Sequence, residues 1–291
     1  MYKNRMVKLF WKVAAINNGL YLRLRYWRTM KKKLHLRHPI TYTEKLQWLK
    51  LYYHEPIMTD MVDKIKAKQI AARQIGSDHI IPLIGSYDSV DEINWTDLPK
   101  SFVLKCNHDS GGVIVCRDKA NLDIEHAKTI LSVSLANSYY KDNLEWPYKD
   151  VKRKILCEQY MVDESGYELK DYKWFCFNGV PRALFVASDR NTMTNETKFD
   201  FFDAEFNRLS IRNGHPNSAN CIDKPKGFDE MKLLAAKLSA GFPHVRIDLY
   251  DVDGHVFFGE YTFFHWSGFV PFEPEEWDGI FGEWLTLPSK I

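Results

Sequence analysis

An α+β fold built on antiparallel sheets is predicted from three features of the sequence. Two stretches, KDYKWFCFNGVPRALFVASDR and HVRIDLYDVDGHVFFGEYTFF, read as β-hairpins: strand-forming runs flank short turns at Phe177-Asn178-Gly179 and Asp253-Gly254. The helical runs do not alternate with single strands, which argues against βαβ units and a parallel sheet. The chain of 291 residues is long enough for two packed lobes.

Taken in order, residues 1 to about 55 are predicted to be helical, with a break at His38-Pro39. TYTEKLQWLKLYYH restarts the helix with Thr43 as N-cap. MVDKIKAKQIAARQIG is expected as one helix that Gly76 ends. HIIPLIGSY and SFVLKCN are expected as strands joined by a turn at LPKSF, and NLDIEHAKTILSVSLANSYY as a helix. KRKILCEQYM is the next strand, and GFDEMKLLAAKLSAGF is a helix between the two hairpins, closed by Gly241. The tryptophans of PEEWDGIFGEWL read as a packed C-terminal helix rather than a sugar platform.

Composition excludes several classes. The net charge is +2 and the hydrophobic and charged fractions, 45% and 27%, are those of an ordinary globular protein. No apolar run approaches the ~18–20 residues of a membrane span, and the N-terminal run is too interrupted by Lys and Arg for a signal peptide. Five cysteines (106, 116, 157, 176, 221) form no C-x-x-C pair and leave an odd count, which argues against a disulfide framework and a thiolate zinc site. A reduced, cytoplasmic protein is expected. Ten histidines show no H-x-x-x-H or H-E-x-x-H spacing. G-x-S-x-G and P-loop strings are absent as well. The D-x-D string at 251–253 precedes Gly254 between two apolar arms, so it reads as a hairpin turn before it reads as a nucleotide-sugar metal site.

Charge concentrates at one end. Residues 1–50 hold 13 Lys or Arg and one acid, Glu44. This segment is a solvated helical face or a patch for an anionic membrane surface or a lipid-linked glycan, peripheral to the inner face of the membrane. No nucleic-acid-binding motif accompanies it.

The stretch FVLKCNHDSGG, residues 102–112, carries the strongest chemical signal. An apolar strand ends in Lys105 and passes at once into a small polar loop, the pattern of a polyanion site with a cation and approachable backbone N–H groups. Lys64, on the preceding helix, offers a second cation. In the last hairpin, a turn at 253–254 places Asp248 nearly opposite 259 and Glu260 one diagonal step away, so a bulge or a longer loop would put both acids on one face. Two acids opposite two lysines suit a triphosphate with Mg²⁺.

The order DKIKAK, FVLKCNHDSGG, ILCEQYM, DYKWFCFNG, FPHVRIDLYDVDGHVFFGEYTF, PEEWD resembles the ATP-grasp superfamily, and more closely its TupA-like polysaccharide-biosynthesis branch, from about Met58 to Trp284. The resemblance implies two α+β lobes clasping ATP: a basic helical segment at 1–55, lobe one at about 56–154 and lobe two at about 155–291. It implies phosphate contacts from Lys64, Lys105 and Lys173, and a covering loop at Ser110, Gly111 and Gly112. Glu158, Gln159, Tyr160 and Met161 match an adenine-recognising hinge. A ribose-binding acid is expected next, with Asp163 and Glu164 as the alternatives. Asp248 and Glu260 match Mg²⁺ ligands, and Arg246 the catalytic cation together with Lys105. Thr262 stands where the family often has a metal-binding Asn. His265 and Ser267 are candidates to face the acceptor.

The implied activity is an ATP-dependent carboxylate–amine ligase of cell-surface polysaccharide synthesis, forming an acyl phosphate on a uronic acid or amino acid. Its substrates would be a glycan or sugar-linked carboxylate and an amine. The alternatives are a glycosyltransferase using a nucleotide sugar, and a nucleotide-binding module without turnover.

Overall fold

The computed structural model describes residues 17–189 and 196–289; the helix expected before residue 17 lies outside them. Four helices come first: α1 (Asn18–Met30), α2 (Tyr42–Tyr52), α3 (Ile57–Val62) and α4 (Lys64–Ile75). Strands β1 (Leu83–Tyr87), β2 (Phe102–Cys106) and β3 (Val113–Cys116) follow, then α5 (Ile124–Ala136), α6 (Tyr139–Asn143) and β4 (Ile155–Gln159). The remainder is the hairpin β5 (Asp171–Phe177) and β6 (Val180–Ser188), then β7 (Lys198–Asp203), β8 (Arg208–Leu209) and α7 (Phe228–Ser239). The hairpin β9 (His244–Val252) and β10 (His255–Thr262) and helix α8 (Glu276–Trp284) complete it.

Two antiparallel sheets result, a four-stranded one ordered β1-β4-β2-β3 and a six-stranded one ordered β10-β9-β5-β6-β7-β8. Phe102, Leu104 and Ile155 of the small sheet pack against Ala127 and Leu131 of α5. The larger core joins Trp174, Phe175, Phe185 and Ile247 of the big sheet to α7, α8 and the N-terminal helices. Both hairpins turn at the expected dipeptides, with positive φ at Asn178 and Gly179 (50° and 77°) and at Asp253 and Gly254 (54° and 93°). Such a pair of left-handed residues matches the right-handed twist of the flanking strands.

Four expectations are corrected. Strand β4 pairs with β1 and β2, so a lobe boundary at 154/155 falls one strand early. Residues 17–55 are not an appended segment: Tyr42 is buried with its hydroxyl 2.9 Å from His244 Nε2, and Thr43 donates from N and Oγ1 to Asp278 at 2.8 and 2.7 Å. Thr43 is therefore not the cap. Thr41 caps α2 in a capping box with Glu44. The helix expected across MVDKIKAKQIAARQIG is broken at Asp63, whose extended backbone ends α3 and whose side chain accepts from Ile65 N to start α4. Strands β3, β7 and β8 lie outside the expected elements.

Candidate functional site

A cleft opens between the two sheets, with one wall from β2, β3 and β4 and the other from β5, β9 and β10. Ile81, Val103, Val113, Val115, Met161 and Leu169 give it an apolar slot. Lys64, Lys105, Ser110, Glu158, Gln159, Tyr160, Lys173 and Glu260 also line it, so most of the expected site residues meet here.

On the small-sheet wall the organising group is Glu158. It is 3% exposed and lies between Lys105 at 2.6 Å and Lys68 at 2.8 Å. Burial raises the cost of its charge, but Lys105 and Lys68 outweigh that and hold its carboxyl below the usual range. Glu158 thus anchors two cations at the cleft wall. Lys68 also donates to Ile81 O at 3.0 Å, and it was missed in the sequence. Its signal was the spacing of Lys64 and Lys68 in DKIKAK, four residues apart on one helical face.

The loop after β2 divides into a buried base and an exposed tip. Asn107, His108 and Asp109 are buried. Asn107 bonds the backbone of Lys152 and Lys154, His108 Nε2 donates to Asn137 O, and Asp109 accepts from Ser134 Oγ. Lys64 Nζ donates to Asp109 O at 2.6 Å and stands 3.5 Å from Glu260, linking the loop to the opposite wall. The two glycines differ. A Cβ on Gly112 would meet Ser134 Oγ at 2.3 Å, whereas one on Gly111 would have nothing closer than 3.9 Å. Gly112 is small for packing, and only Ser110 of the three expected residues lines the cleft. Tyr139, beside Ser110, has its phenol pushed above its ordinary value by the nearby Glu145 charge and by burial.

The opposite wall is a cross-strand array. Lys173 of β5 pairs with Asp248 of β9, which pairs with Glu260 of β10; the next rung on the same face holds Phe175, Arg246 and Thr262. Lys173 Nζ bonds Asp248 and lies 3.2 Å from Asp171. Arg246 grips Asp248 with Nε and Nη2, each at 2.7 Å, and donates from Nη2 to Thr262 Oγ1 at 3.0 Å. Its Nη1 donates to His265 Nδ1 at 2.7 Å. Because arginine only donates, His265 carries its proton on Nε2, which donates to Asn213 Oδ1 at 2.8 Å. Burial and the Arg246 charge hold His265 well below its ordinary value, in keeping with a neutral ring.

Glu260 borders the cleft with Lys64 at 3.5 Å and Arg246 at 3.7 Å. Burial opposes its charge, but Lys64, Lys173, Arg246 and Lys105 together push its carboxyl far below the usual range. Of the three expected metal ligands, only Glu260 reaches the cleft wall. Asp248 is fully buried with both oxygens engaged, and the Thr262 hydroxyl is committed to Arg246. Among the described residues no group of three or more His, Cys, Asp or Glu gathers as a metal cage. Magnesium is commonly held by one or two carboxylates and completed by substrate phosphates. Glu260 fits that role as it stands; Asp248 fits only if Lys173 releases it.

Several other expectations are revised. Glu164 is exposed, pairs with Lys170 at 3.1 Å and does not line the cleft. Asp163 is buried and folds its own loop by accepting from Ser165 N and Lys170 N. Beyond the hinge the acids that reach the cleft are Glu168 and Asp171, and Arg117, Tyr167 and Tyr250 line it too, none of them among the expected residues. His265 and Ser267 are buried rather than acceptor-facing. Ser267 Oγ and O accept from Lys50 Nζ at 2.7 and 2.8 Å. Burial pushes Lys50 down to about 7, opposed by the buried Glu145. The D-x-D string is a turn: Asp251 accepts from Gly227 N and Gly254 N, each at 2.6 Å.

A family profile for TupA-like ATP-grasp proteins matches residues 44–286. The chain belongs to that family. No curated protein matches it. D-alanine–D-alanine ligase from Bacillus anthracis, solved with ATP, is 15% identical with a TM-score of 0.40, over 70% of this chain and 53% of that one. The ATP-grasp ligase PsnB with its minimal precursor, Mg and ADP is 10% identical with a TM-score of 0.39, over 86% and 64%. D-alanine–D-alanine ligase from Helicobacter pylori is 12% identical with a TM-score of 0.43, over 84% and 69%. The chain spans little more than half the length of the Bacillus anthracis enzyme. No helix among the described residues is long and apolar enough to cross a membrane.

Proposed function

We propose that this ATP-grasp family member is an ATP-dependent carboxylate–amine ligase of surface-polysaccharide assembly, amidating a uronic acid or coupling an amino acid. The observation that carries this reading is the facing of two charge arrays across one cleft. Lys105, anchored by Glu158, faces the rung Lys173–Asp248–Glu260, with Lys64 reaching across. The apolar slot suits a flat base, and the lysines suit the phosphates.

In this reading a substrate carboxylate oxygen attacks the γ-phosphorus of ATP. The bond to the β–γ bridging oxygen breaks and ADP leaves. The amine nitrogen then attacks the acyl carbon, loses its proton to water, and inorganic phosphate leaves. Lys105, Lys64 and Lys173 neutralise phosphate charge, and Ser110 closes over the phosphates. Arg246 has four of its five N–H groups engaged, so it acts chiefly as a fixed positive charge beside Glu260. Magnesium bound at Glu260 would supply charge neutralisation between that carboxylate and the phosphates.

Calorimetry with Mg·ATP and with UDP-sugars, on the wild type and Lys105→Ala, tests the site. Mg·ATP binding that weakens about 10- to 100-fold in the variant supports it. Nucleotide-sugar binding indifferent to Lys105 would replace it with glycosyl transfer. Firm ATP binding without ADP release, with every carboxylate and amine pair tried, would favour a nucleotide-binding module.

A further inference from the structure

Helix α1 has two faces of different character. Tyr21, Leu22, Tyr26 and Met30 are buried, and the Tyr26 hydroxyl lies 2.8 Å from Thr43 Oγ1. Arg25 lies 4.5 Å above the Phe269 ring, tying the helix to the segment that carries His265. The outer face repeats apolar residues at the spacing of one helical stripe, Leu20, Leu24 and Trp27, and all three are exposed. Trp27 is 65% exposed, and Ile40, beyond the helix, is 69% exposed. Large apolar side chains of this kind in a contiguous row call for an occupant.

The charges around the stripe say which. Arg23 and Arg28 flank it on either side, and Lys31, Lys33 and Arg37 are exposed just beyond. The chain has no Asp or Glu before Glu44, which is itself buried in the cap of α2. We infer that the outer face of α1 docks on an anionic lipid bilayer. Leucine and tryptophan enter the headgroup region, where indole rings are favoured, and the flanking cations meet lipid phosphates. A second copy of the chain is a poor occupant, because two such faces would bring their cations together. The inference goes beyond the ligase reading and does not depend on it. It assigns a surface that holds the enzyme at the membrane in a fixed orientation, since α1 is packed into the same core as the catalytic sheet.

Co-sedimentation of the full chain with vesicles tests it. Binding is expected to vesicles of three parts phosphatidylcholine to one part phosphatidylglycerol, not to phosphatidylcholine alone, and to fall as salt rises. The variant Leu20→Ser/Leu24→Ser/Trp27→Ser and the variant Arg23→Glu/Arg28→Glu/Lys33→Glu should each weaken binding at least about tenfold. Both should keep the wild-type circular dichroism and Mg·ATP affinity, because the altered side chains are exposed. Absence of binding to anionic vesicles overturns the inference, as does binding that both variants retain. Self-association lost in the apolar variant would reassign the face to a second copy. Equal affinity for duplex DNA, lost in the charge variant alone, would reassign it to nucleic acid.

Discussion

Glu260 stands directly across from Asp248 because Gly259 is bulged out of β10. The regular hairpin register would set residue 259 against Asp248; the extra residue advances the partner by one and turns the Glu260 carboxylate to the face that carries Lys173 and Arg246. A Cβ on residue 259 would come within 2.9 Å of Asp248 O, so glycine is required where the strands close up.

Gly259→Val should therefore displace Glu260 from its rung. ADP formation is expected to drop about 100-fold, the scale of a misplacement near one ångström. Thermal melting should fall with it, by about 1–3 kcal/mol of stability. Unchanged ADP release would show that the bulge does not set the chemistry.

The loop glycines give a paired test. Gly112→Ala places its methyl group against Ser134 and should destabilise the protein by about 1–3 kcal/mol, read from urea unfolding. Gly111→Ala makes only an ordinary contact with the Asp109 side chain at 3.9 Å and should stay within about 0.5 kcal/mol of the wild type.

Glu158→Gln removes the charge that holds Lys68 and Lys105. Breaking a buried pair on one side costs about 3–5 kcal/mol. Stability by urea titration and Mg·ATP affinity by calorimetry should fall together; a change in affinity alone would make Glu158 a reader of the nucleotide instead of an anchor.

His265 accepts from Arg246 Nη1 and does not line the cleft, so its expected role is to position Arg246. His265→Ala should reduce kcat about 10- to 100-fold with little change in Mg·ATP affinity. His265→Asn, which can still accept from Arg246, should recover part of it. An equal loss in both variants, together with lost nucleotide affinity, would refute the positioning role.

Two of the buried histidines, His244 and His265, also set an acid limit. Burial lowers His244 to about 3 and, with Arg246, holds His265 well down, so both stay neutral in the folded chain where the unfolded chain binds protons. Below pH ~6.5 the unfolded state takes up more protons, so stability falls with pH by at most about 1.4 kcal/mol per unit for each histidine. The loss attributable to His244 continues to about pH 3. Unfolding titrations from neutral to acid pH check this, and His244→Gln should remove one histidine's share of the slope.

Parts of this architecture were legible in the chain because they are decided locally. Asn178-Gly179 and Asp253-Gly254 supply the left-handed pairs that hairpins need, and Gly76 and Gly241 end their helices by the same conformational freedom. Lys105 could be placed at a strand end, and Asp248 near Glu260, by counting along a hairpin. The Thr41–Glu44 capping box is equally local, carried by the T-x-x-E spacing that the expectation of Thr43 as cap passes over.

What tertiary structure alone decided is which charges share a neighbour. Lys68 and Lys105 meet at Glu158, some fifty to ninety positions along the chain, because α4 packs beside the sheet that β4 completes. His265 reaches Arg246 only through the turn after β10, and Lys173 meets Asp248 only through the β5–β9 register. The sequence by itself determined the turns, the apolar periods and the supply of cations and acids. The fold decided which acid faces the cleft and which is sealed behind a lysine. Backbone preference acts over a few neighbouring residues, whereas the partner of a charge is set by packing between distant strands, and burial then makes that pairing obligatory.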